Sequence, residues 1–217
     1  ARRADLRYRF RFLRRFGFGG CLADDMGLGK TVQVLAMLVS RRRKARQPSL
    51  VVVPKSLVWN WKNEAASFAP KLHVLAHVGP ERPSQPASLL DADVVITTYG
   101  TLRNDVMLLR EIDFDYLILD EAQAIKNADS ESAKAARLLR GKQRLVLSGT
   151  PVENHVGELW SLFEFLNPGM LGTSRVLQGA TGTSPRPEVV SVLSRALRPF
   201  ILRRTKDAVA PALPPKH

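Results

Sequence analysis

The sequence contains a single cysteine, Cys21, among 217 residues. One cysteine excludes an intrachain disulfide and any metal site built from several cysteines, which is compatible with a reducing compartment or with an oxidising one in which disulfides are unnecessary. We expect the Cys21 side chain to lie in the core. No segment approaches the roughly 20 consecutive apolar residues that a membrane-spanning helix needs, and the arginine-rich amino terminus lacks the apolar segment of a secretory signal. We therefore predict a soluble, intracellular protein with no membrane partner.

Acidic residues are also scarce, since 20 Asp and Glu stand against 33 Lys and Arg and leave a net charge of +13. The excess is concentrated in residues 2–15, 41–46 and 195–206, which together carry 17 basic residues and one acidic residue. Such patches are typical of a surface that binds a polyanion, nucleic acid above all. Solvated helix faces are the alternative interpretation. Because 45% of the residues are hydrophobic, the chain has enough apolar material for a sizeable core in one or two domains.

The hydrophobic pattern predicts a parallel sheet. Short apolar runs that alternate with helical stretches cover residues 21–23, 50–53, 72–75, 94–97, 116–119 and 144–147. Because these runs are continuous rather than alternating with polar residues, we expect strands covered by helices on both faces, in the doubly wound α/β arrangement. The predicted helices cover residues 30–44, 56–68, the vicinity of Leu89, 101–109, 131–139, 155–166 and 188–197, with a loop over 172–187.

A glycine-bearing loop follows the first predicted strand and precedes a helix, as in phosphate-binding loops. We predict that it binds nucleotide through Asp25, Met26, Gly27, Leu28, Gly29, Lys30 and Thr31. The two glycines allow backbone N–H groups to approach phosphate oxygens, and the helix amino terminus favours negative charge. Lys30 would reach the β- and γ-phosphates, and the Thr31 hydroxyl would bind Mg²⁺. Asp24 stands where the usual motif has its first glycine, and a chance turn is the alternative interpretation.

An acidic pair, Asp120 and Glu121, follows the predicted strand over residues 116–119. An ATP-hydrolysing site needs one acidic residue to hold Mg²⁺ and another to orient or deprotonate the attacking water. We predict that Asp120 binds Mg²⁺, largely through water, and that Glu121 acts on the water. Together with Lys30, these residues are the predicted catalytic set.

The acidic pair opens the segment Asp-Glu-Ala-Gln-Ala-Ile-Lys-Asn at residues 120–127, which resembles the Swi/Snf-type ATPases of helicase superfamily two. Further segments that resemble motifs of this family, in family order, cover residues 51–61, 96–99, 147–154 and 200–206. The resemblance implies the first RecA-like lobe of a P-loop ATPase. It also implies the cofactors ATP and Mg²⁺, and a parent protein that translocates on double-stranded DNA and remodels protein–DNA complexes. Gln123, where many relatives have His, resembles the prokaryotic branch.

The same resemblance implies residues that couple hydrolysis to movement of the lobes, namely Gln123, Ser148, Gly149 and Thr150. Because Ser148 and Thr150 follow a predicted strand, their hydroxyls are expected near the γ-phosphate and Glu121. A polar turn without a catalytic role is the alternative.

DNA contacts are predicted for Lys55, Ser56, Thr97, Thr98, Lys126 and Asn127. The first four follow strand ends, on the side where open α/β sheets bind ligands. A lysine and small hydroxyls there suit contacts with the phosphate backbone, which position a protein without reading sequence. We expect Trp59 and Trp61 to pack in the core or against loops rather than to stack on bases. His73 and His77 are interpreted as structural or surface residues.

The resemblance divides the chain into four expected parts: a basic segment over 1–18, an ATP-binding core over 19–151, a helical protrusion over 152–199, and a link toward a second RecA-like lobe over 200–217. That second lobe would supply the arginine finger and further DNA contacts. No Gln of the kind that recognises adenine in the family precedes Cys21, so either this contact is lost or the sequence lacks residues there. The loop over 172–187 is also shorter than expected.

Two alternatives remain open from the sequence: a lobe of a helicase that separates RNA or DNA strands, and a nucleotide- or DNA-binding scaffold without turnover. The expected partners are double-stranded DNA, the second lobe and a DNA-bound protein substrate. The expected location is the cytoplasm, on the nucleoid, for a prokaryotic protein and the nucleus for a eukaryotic one.

Overall fold

A seven-stranded sheet organises the chain, in a computed structural model that describes residues 10–25, 27–42, 47–149, 156–172 and 195–204. The strand order is β3-β4-β2-β5-β6-β1-β7, and neighbouring strands run parallel. The strands are β1 (Gly20–Leu22), β2 (Ser49–Val53), β3 (Val74–His77), β4 (Val94–Thr98), β5 (Asp113–Leu119), β6 (Arg140–Leu147) and β7 (Ile201–Leu202).

Helices connect these strands. They are α1 (10–15), α2 (Lys30–Arg41), α3 (Val58–Phe68), α4 (Ala87–Leu90), α5 (Tyr99–Leu109), α6 (Glu131–Leu138) and α7 (Val156–Leu166). Short 3₁₀ helices cover Lys55–Leu57, Ala122–Ile125 and Arg198–Phe200. Side-chain caps fix two helix starts, since Thr98 accepts from the Thr101 N–H at α5 and Ser130 accepts from the Ala133 N–H at α6. In the part of the chain that the structure describes, no helix is long and apolar enough to span a membrane.

The core lies on both faces of the sheet. Successive residues of a strand point to opposite faces, so Leu50 and Val52 join one buried cluster while Val51 and Val53 join the other. Trp61 of α3 is buried on the second face and Phe163 of α7 on the first. This confirms the predicted α/β fold with strands covered on both sides.

The structure corrects the predicted strands at several places. β5 begins at Asp113 rather than at residue 116, and β6 begins at Arg140 rather than at residue 144. The third strand begins at Val74 rather than at residue 72, because pairing with β4 starts at Val74 and Leu72 is buried ahead of the strand. A seventh strand, Ile201–Leu202, pairs with β1 and was not predicted, since two residues carry no periodicity.

The apolar face of α7 packs into the same cluster as β5 and β6, so the core extends past the expected boundary at residue 151. The expected link over 200–217 begins inside the sheet, as β7. The predicted loop over 172–187 and most of the predicted helix over 188–197 lie outside the described residues.

Candidate nucleotide site

The predicted phosphate loop and acidic pair lie at the carboxyl ends of β1 and β5, two parallel strands that flank β6. β2, β5, β6 and β1 are adjacent in the sheet, and the loops that follow them leave from one edge. Backbone hydrogen bonds hold these loops together: the Asp120 N–H donates to the Val52 carbonyl at 2.9 Å, and the Ser148 N–H donates to the Leu22 carbonyl at 3.1 Å. Ligands of open α/β sheets bind in this crevice.

The phosphate loop requires glycine at two positions. Gly27 and Gly29 have φ of 86° and 71°, in the left-handed region that residues with a Cβ rarely adopt. Gly29 directly precedes α2, so the backbone turns into the helix at the point where N–H groups are available for an anion. Met26 lies outside the described residues.

Lys30 begins α2 and folds back over the loop. Its Nζ donates to the Asp24 carbonyl at 2.7 Å and lies 3.5 Å from the Asp25 carbonyl. The ammonium group is therefore already held at the mouth of the loop, where the phosphates of a nucleotide would compete with neutral carbonyl oxygens for it. Thr31 follows in the first turn of α2 and is half-buried.

Asp120 is fixed by three groups. Trp61 Nε1 donates to Asp120 Oδ2 at 2.8 Å, and the Glu121 N–H donates to Oδ1 at 2.9 Å. The Tyr99 hydroxyl donates to the Asp120 carbonyl at 2.8 Å. Burial raises the pKa of the Asp120 carboxyl, and the Trp61 hydrogen bond opposes this by stabilising the charged form. The resulting carboxylate is a suitable donor for Mg²⁺, which prefers oxygen ligands.

Glu121 has a strained backbone. Its φ of 48° and ψ of 57° lie in the left-handed region, and no other non-glycine residue in the described ranges has a positive φ. Such a conformation costs about 1–3 kcal/mol and is concentrated at functional sites. The Gln123 side chain donates from Nε2 to Glu121 Oε2 at 2.8 Å, which orients the carboxylate.

The segment after β6 reaches the same edge. Ser148 is buried beside β1, and Gly149 is half-buried. Thr150 lies outside the described residues, so its predicted position near Glu121 stays a prediction.

The predicted DNA contacts differ in accessibility. Lys55 and Ser56, in the 3₁₀ helix after β2, are exposed, and Asn127 is also exposed. Lys126 is half-buried and forms an ion pair with Glu158 of α7, with Nζ and Oε2 separated by 2.9 Å. Three of these side chains are therefore available to a backbone phosphate, and Lys126 would have to leave Glu158 first.

Thr97 does not belong to the DNA surface. Its side chain is fully buried and its hydroxyl donates to the His77 carbonyl at 2.9 Å, because β4 continues through Thr98 and the Thr97 side chain is covered on its face of the sheet. Thr98 is half-buried and its hydroxyl caps α5. The predicted DNA contact through Thr97 is wrong. A DNA contact through Thr98 would use the same hydroxyl oxygen that caps α5.

The two tryptophans have different environments. Trp61 packs in the core as predicted, while Trp59 is 72% exposed on the opposite face of α3, so the expected packing of Trp59 is wrong. His77 is buried and bonded to Asp105 at 2.8 Å, and His73 is exposed, in agreement with structural and surface roles. Cys21 is fully buried as predicted, which raises its pKa to about 12.

Sequence reasoning missed the partner of Asp24. The Asp24 carboxylate is fully buried and accepts from the Arg204 backbone N–H at 3.0 Å and from Arg204 Nε at 3.1 Å, with a further bond from Nη2. The unusual Asp at the first position of the loop was the signal that could have drawn attention to it. Its partner, 180 residues away in sequence, carried no local signal.

Comparison with known proteins identifies the family to which this chain is similar. A family model described as the SNF2-related domain matches residues 6–217. YwqA of Bacillus subtilis, provisionally named an ATP-dependent helicase/translocase, is 43% identical over 94% of this chain. The TATA-binding protein-associated factor MOT1 of Saccharomyces cerevisiae is 38% identical over 94% of it. The chain spans 23% of YwqA and 13% of MOT1, a small part of either relative.

Solved structures of the same family are also similar to this chain. The SWI2/SNF2 ATPase core of Sulfolobus solfataricus in complex with double-stranded DNA is 39% identical, with a TM-score of 0.81. The match covers 90% of this chain and 42% of that one. The chain therefore belongs to the SNF2-related domain family, as a RecA-like ATPase lobe of the Snf2 type within helicase superfamily two.

Proposed function

We propose that this chain is the ATP-binding lobe of a DNA-dependent ATPase that translocates on double-stranded DNA and remodels protein–DNA complexes. The reaction is hydrolysis of ATP to ADP and phosphate. One observation carries the proposal: the loop of Lys30 follows β1 and the Asp120–Glu121 pair follows β5, and both leave the same edge of the sheet on either side of β6. The names of MOT1 and YwqA and the DNA bound to the Sulfolobus core support the DNA-dependent part.

In this proposal the loop N–H groups and the Lys30 ammonium hold the β- and γ-phosphates. The donors of Thr31 and Asp120 fit Mg²⁺, because a hydroxyl and a carboxylate are oxygen ligands that leave positions for water and phosphate. Bound Mg²⁺ would neutralise charge on the phosphates. Asp120 needs no rearrangement to serve, since Trp61 and the Glu121 N–H already fix its two oxygens.

Glu121 is the group that acts on the attacking water. Its left-handed backbone and the bond from Gln123 hold the carboxylate at the sheet edge. Gln123 is itself exposed and therefore connects the catalytic carboxylate to the surface of the segment over 122–127, and Ser148, Gly149 and Thr150 complete the coupling set. A second lobe would supply an arginine finger opposite these groups.

The role of Lys30 is tested by calorimetric titration of ATP·Mg²⁺ into the full-length protein. We expect Lys30→Ala to abolish most binding, because it removes the cation that pairs with the phosphates. Lys71→Ala, at an exposed lysine before β3, is the matched control and should bind as the wild type does. Equal affinity in all three proteins would overturn the assignment of the phosphate loop.

The indole of Trp61 should control the use of Mg²⁺. We expect Trp61→Phe to raise the Mg²⁺ concentration needed for half-maximal ATP hydrolysis by about 10-fold or more. The substitution removes the hydrogen bond that orients the Asp120 carboxylate, and a hydrogen bond to a charged group stabilises that arrangement by about 1.5–3 kcal/mol. Trp59→Phe alters an exposed tryptophan on the same helix and should leave the Mg²⁺ dependence unchanged. The same Mg²⁺ requirement in both variants would show that Trp61 only fills space.

DNA binding is proposed to involve Lys55, Ser56 and Asn127, which are exposed, with Thr98 and Lys126 beside them. These groups suit phosphate contacts, so binding should be independent of sequence and strongly dependent on salt. With about four phosphates neutralised, a fivefold rise in salt should lower affinity by about two to three decades. Fluorescence anisotropy with two unrelated duplexes measures this, and an affinity that ignores salt or depends on sequence would contradict it.

A further inference from the structure

Arg204 and Asp24 form an ion pair at the base of the phosphate loop. The Asp24 carboxylate is fully buried, and the Arg204 guanidinium reaches it with two nitrogens while the Arg204 backbone N–H donates to it as well. A buried carboxylate is strongly destabilised when its partner is removed. The position of Asp24 therefore depends on Arg204.

The same guanidinium also acts on the far end of the loop, through Gln33 of α2. Arg204 Nη2 donates to Gln33 Oε1 at 2.7 Å. Gln33 Nε2 in turn donates to the carbonyls of Leu28 at 2.9 Å and Gly29 at 3.1 Å. Arg204 therefore contacts Asp24, at the start of the loop, directly. Through Gln33 it also connects to Leu28 and Gly29, the last two residues before α2.

Backbone bonds attach the loop to the segment that carries Arg204. The Ala23 N–H donates to the Leu202 carbonyl at 2.7 Å, and the Asp25 N–H donates to the Arg204 carbonyl at 3.1 Å. The pairing of β1 with β7 therefore continues past both strands into the phosphate loop. Lys30, whose ammonium donates to the Asp24 carbonyl, belongs to the same connected set.

We propose that Arg204 is a positioning residue of the ATP site: it holds Asp24 and Gln33, and through them the phosphate loop, in the conformation that binds nucleotide. This rests on the proposed ATP-binding function and adds to it a physical connection between the loop and the segment after β7.

If Arg204 only stabilised the fold, its removal would lower Tm without weakening ATP binding. The ion pair between Arg82 and Asp105 provides a matched comparison. Arg82 contacts Asp105 through Nε at 2.5 Å and Nη2 at 2.8 Å. The Arg82 side chain is 26% exposed and that of Arg204 is 27% exposed. Removing either guanidinium costs the fold an ion pair, but only Arg204 contacts the phosphate loop.

The test measures ATP·Mg²⁺ affinity by calorimetry, KM and kcat for ATP, and Tm for Arg204→Ala, Arg204→Lys and Arg82→Ala in the full-length protein. We expect Arg204→Ala to weaken ATP binding and raise KM by about 10- to 100-fold, by analogy with the loss seen when a partner that orients a metal ligand is removed. Arg204→Lys should fall in between, because lysine keeps the charge but lacks the planar fork. Arg82→Ala should lower Tm with ATP affinity unchanged.

A double-mutant cycle with Asp24→Asn isolates the pair. We expect Arg204→Ala to cost much less ATP affinity in the Asp24→Asn background than in the wild type. If Arg204→Ala does not fold, the comparison of Arg204→Lys with Arg82→Ala decides. The proposal is overturned if the Arg204 variants bind ATP as Arg82→Ala does. It is also overturned if the losses of ATP affinity caused by Arg204→Ala and by Asp24→Asn are additive. Failure of the proposed function is distinguishable, because then the wild type itself would bind no ATP or Lys30→Ala would match it.

Discussion

Replacing Glu121 with Gln should lower kcat for ATP hydrolysis by about 10²- to 10⁴-fold, the usual contribution of a general acid or base. The affinity for ATP·Mg²⁺ should stay close to that of the wild type. The substitution keeps the size of the side chain and removes only the charge that acts on water, while Lys30 and Asp120 remain. Single-turnover phosphate release and calorimetry on the full-length protein separate the two quantities.

Glu131→Gln is the matched control for this experiment. Glu131 is an exposed carboxylate that pairs with Lys134 in the first turn of α6, so its variant should keep the wild-type kcat. Lys30→Ala provides the opposite pattern, with binding lost. Equal loss of ATP affinity in Glu121→Gln and Lys30→Ala would contradict the separate roles assigned to the two residues.

The 217-residue chain on its own should bind ATP weakly and hydrolyse it negligibly, with little stimulation by DNA. Phosphoryl transfer depends on positioning and on charge stabilisation around the γ-phosphate, and an arginine finger contributes about 10³- to 10⁵-fold in rate. Arg204 is unsuited to this role because its guanidinium is bound to Asp24 and Gln33. We expect the finger to come from a second lobe.

Phosphate release by the isolated chain, at saturating ATP and duplex DNA, checks this expectation. The full-length protein, assayed in parallel, is the control and should turn over at a rate at or above about 1 s⁻¹, the low end for working enzymes. A similar rate from the isolated chain would show that it assembles a complete site, for example by self-association.

The sheet and the nucleotide loops could be predicted because their signals are local. Continuous runs such as Leu50–Val53 indicate a strand buried on both faces, and Gly27, Gly29 and Lys30 carry the phosphate loop in a few consecutive residues. The acidic pair Asp120–Glu121 was predicted from its place after such a run. All of these signals lie within single segments of the chain.

The contacts that orient the site could not be predicted, because they join distant segments. Trp61 reaches Asp120 across 59 residues, and Arg204 reaches Asp24 across 180. Thr97 was misplaced because the pattern did not fix where β4 ends. The strand continues through Thr98, so the Thr97 side chain is buried within the strand rather than free at its end.

The most direct test of the central claim is the rate of phosphate release by the full-length protein across a titration of duplex DNA, for the wild type and Lys30→Ala in parallel. We predict a rate that rises with DNA to saturation in the wild type and stays at background in Lys30→Ala. A wild-type rate that does not respond to DNA, or a Lys30→Ala rate equal to it, would contradict the conclusion that this chain is the ATP-binding lobe of a DNA-dependent ATPase.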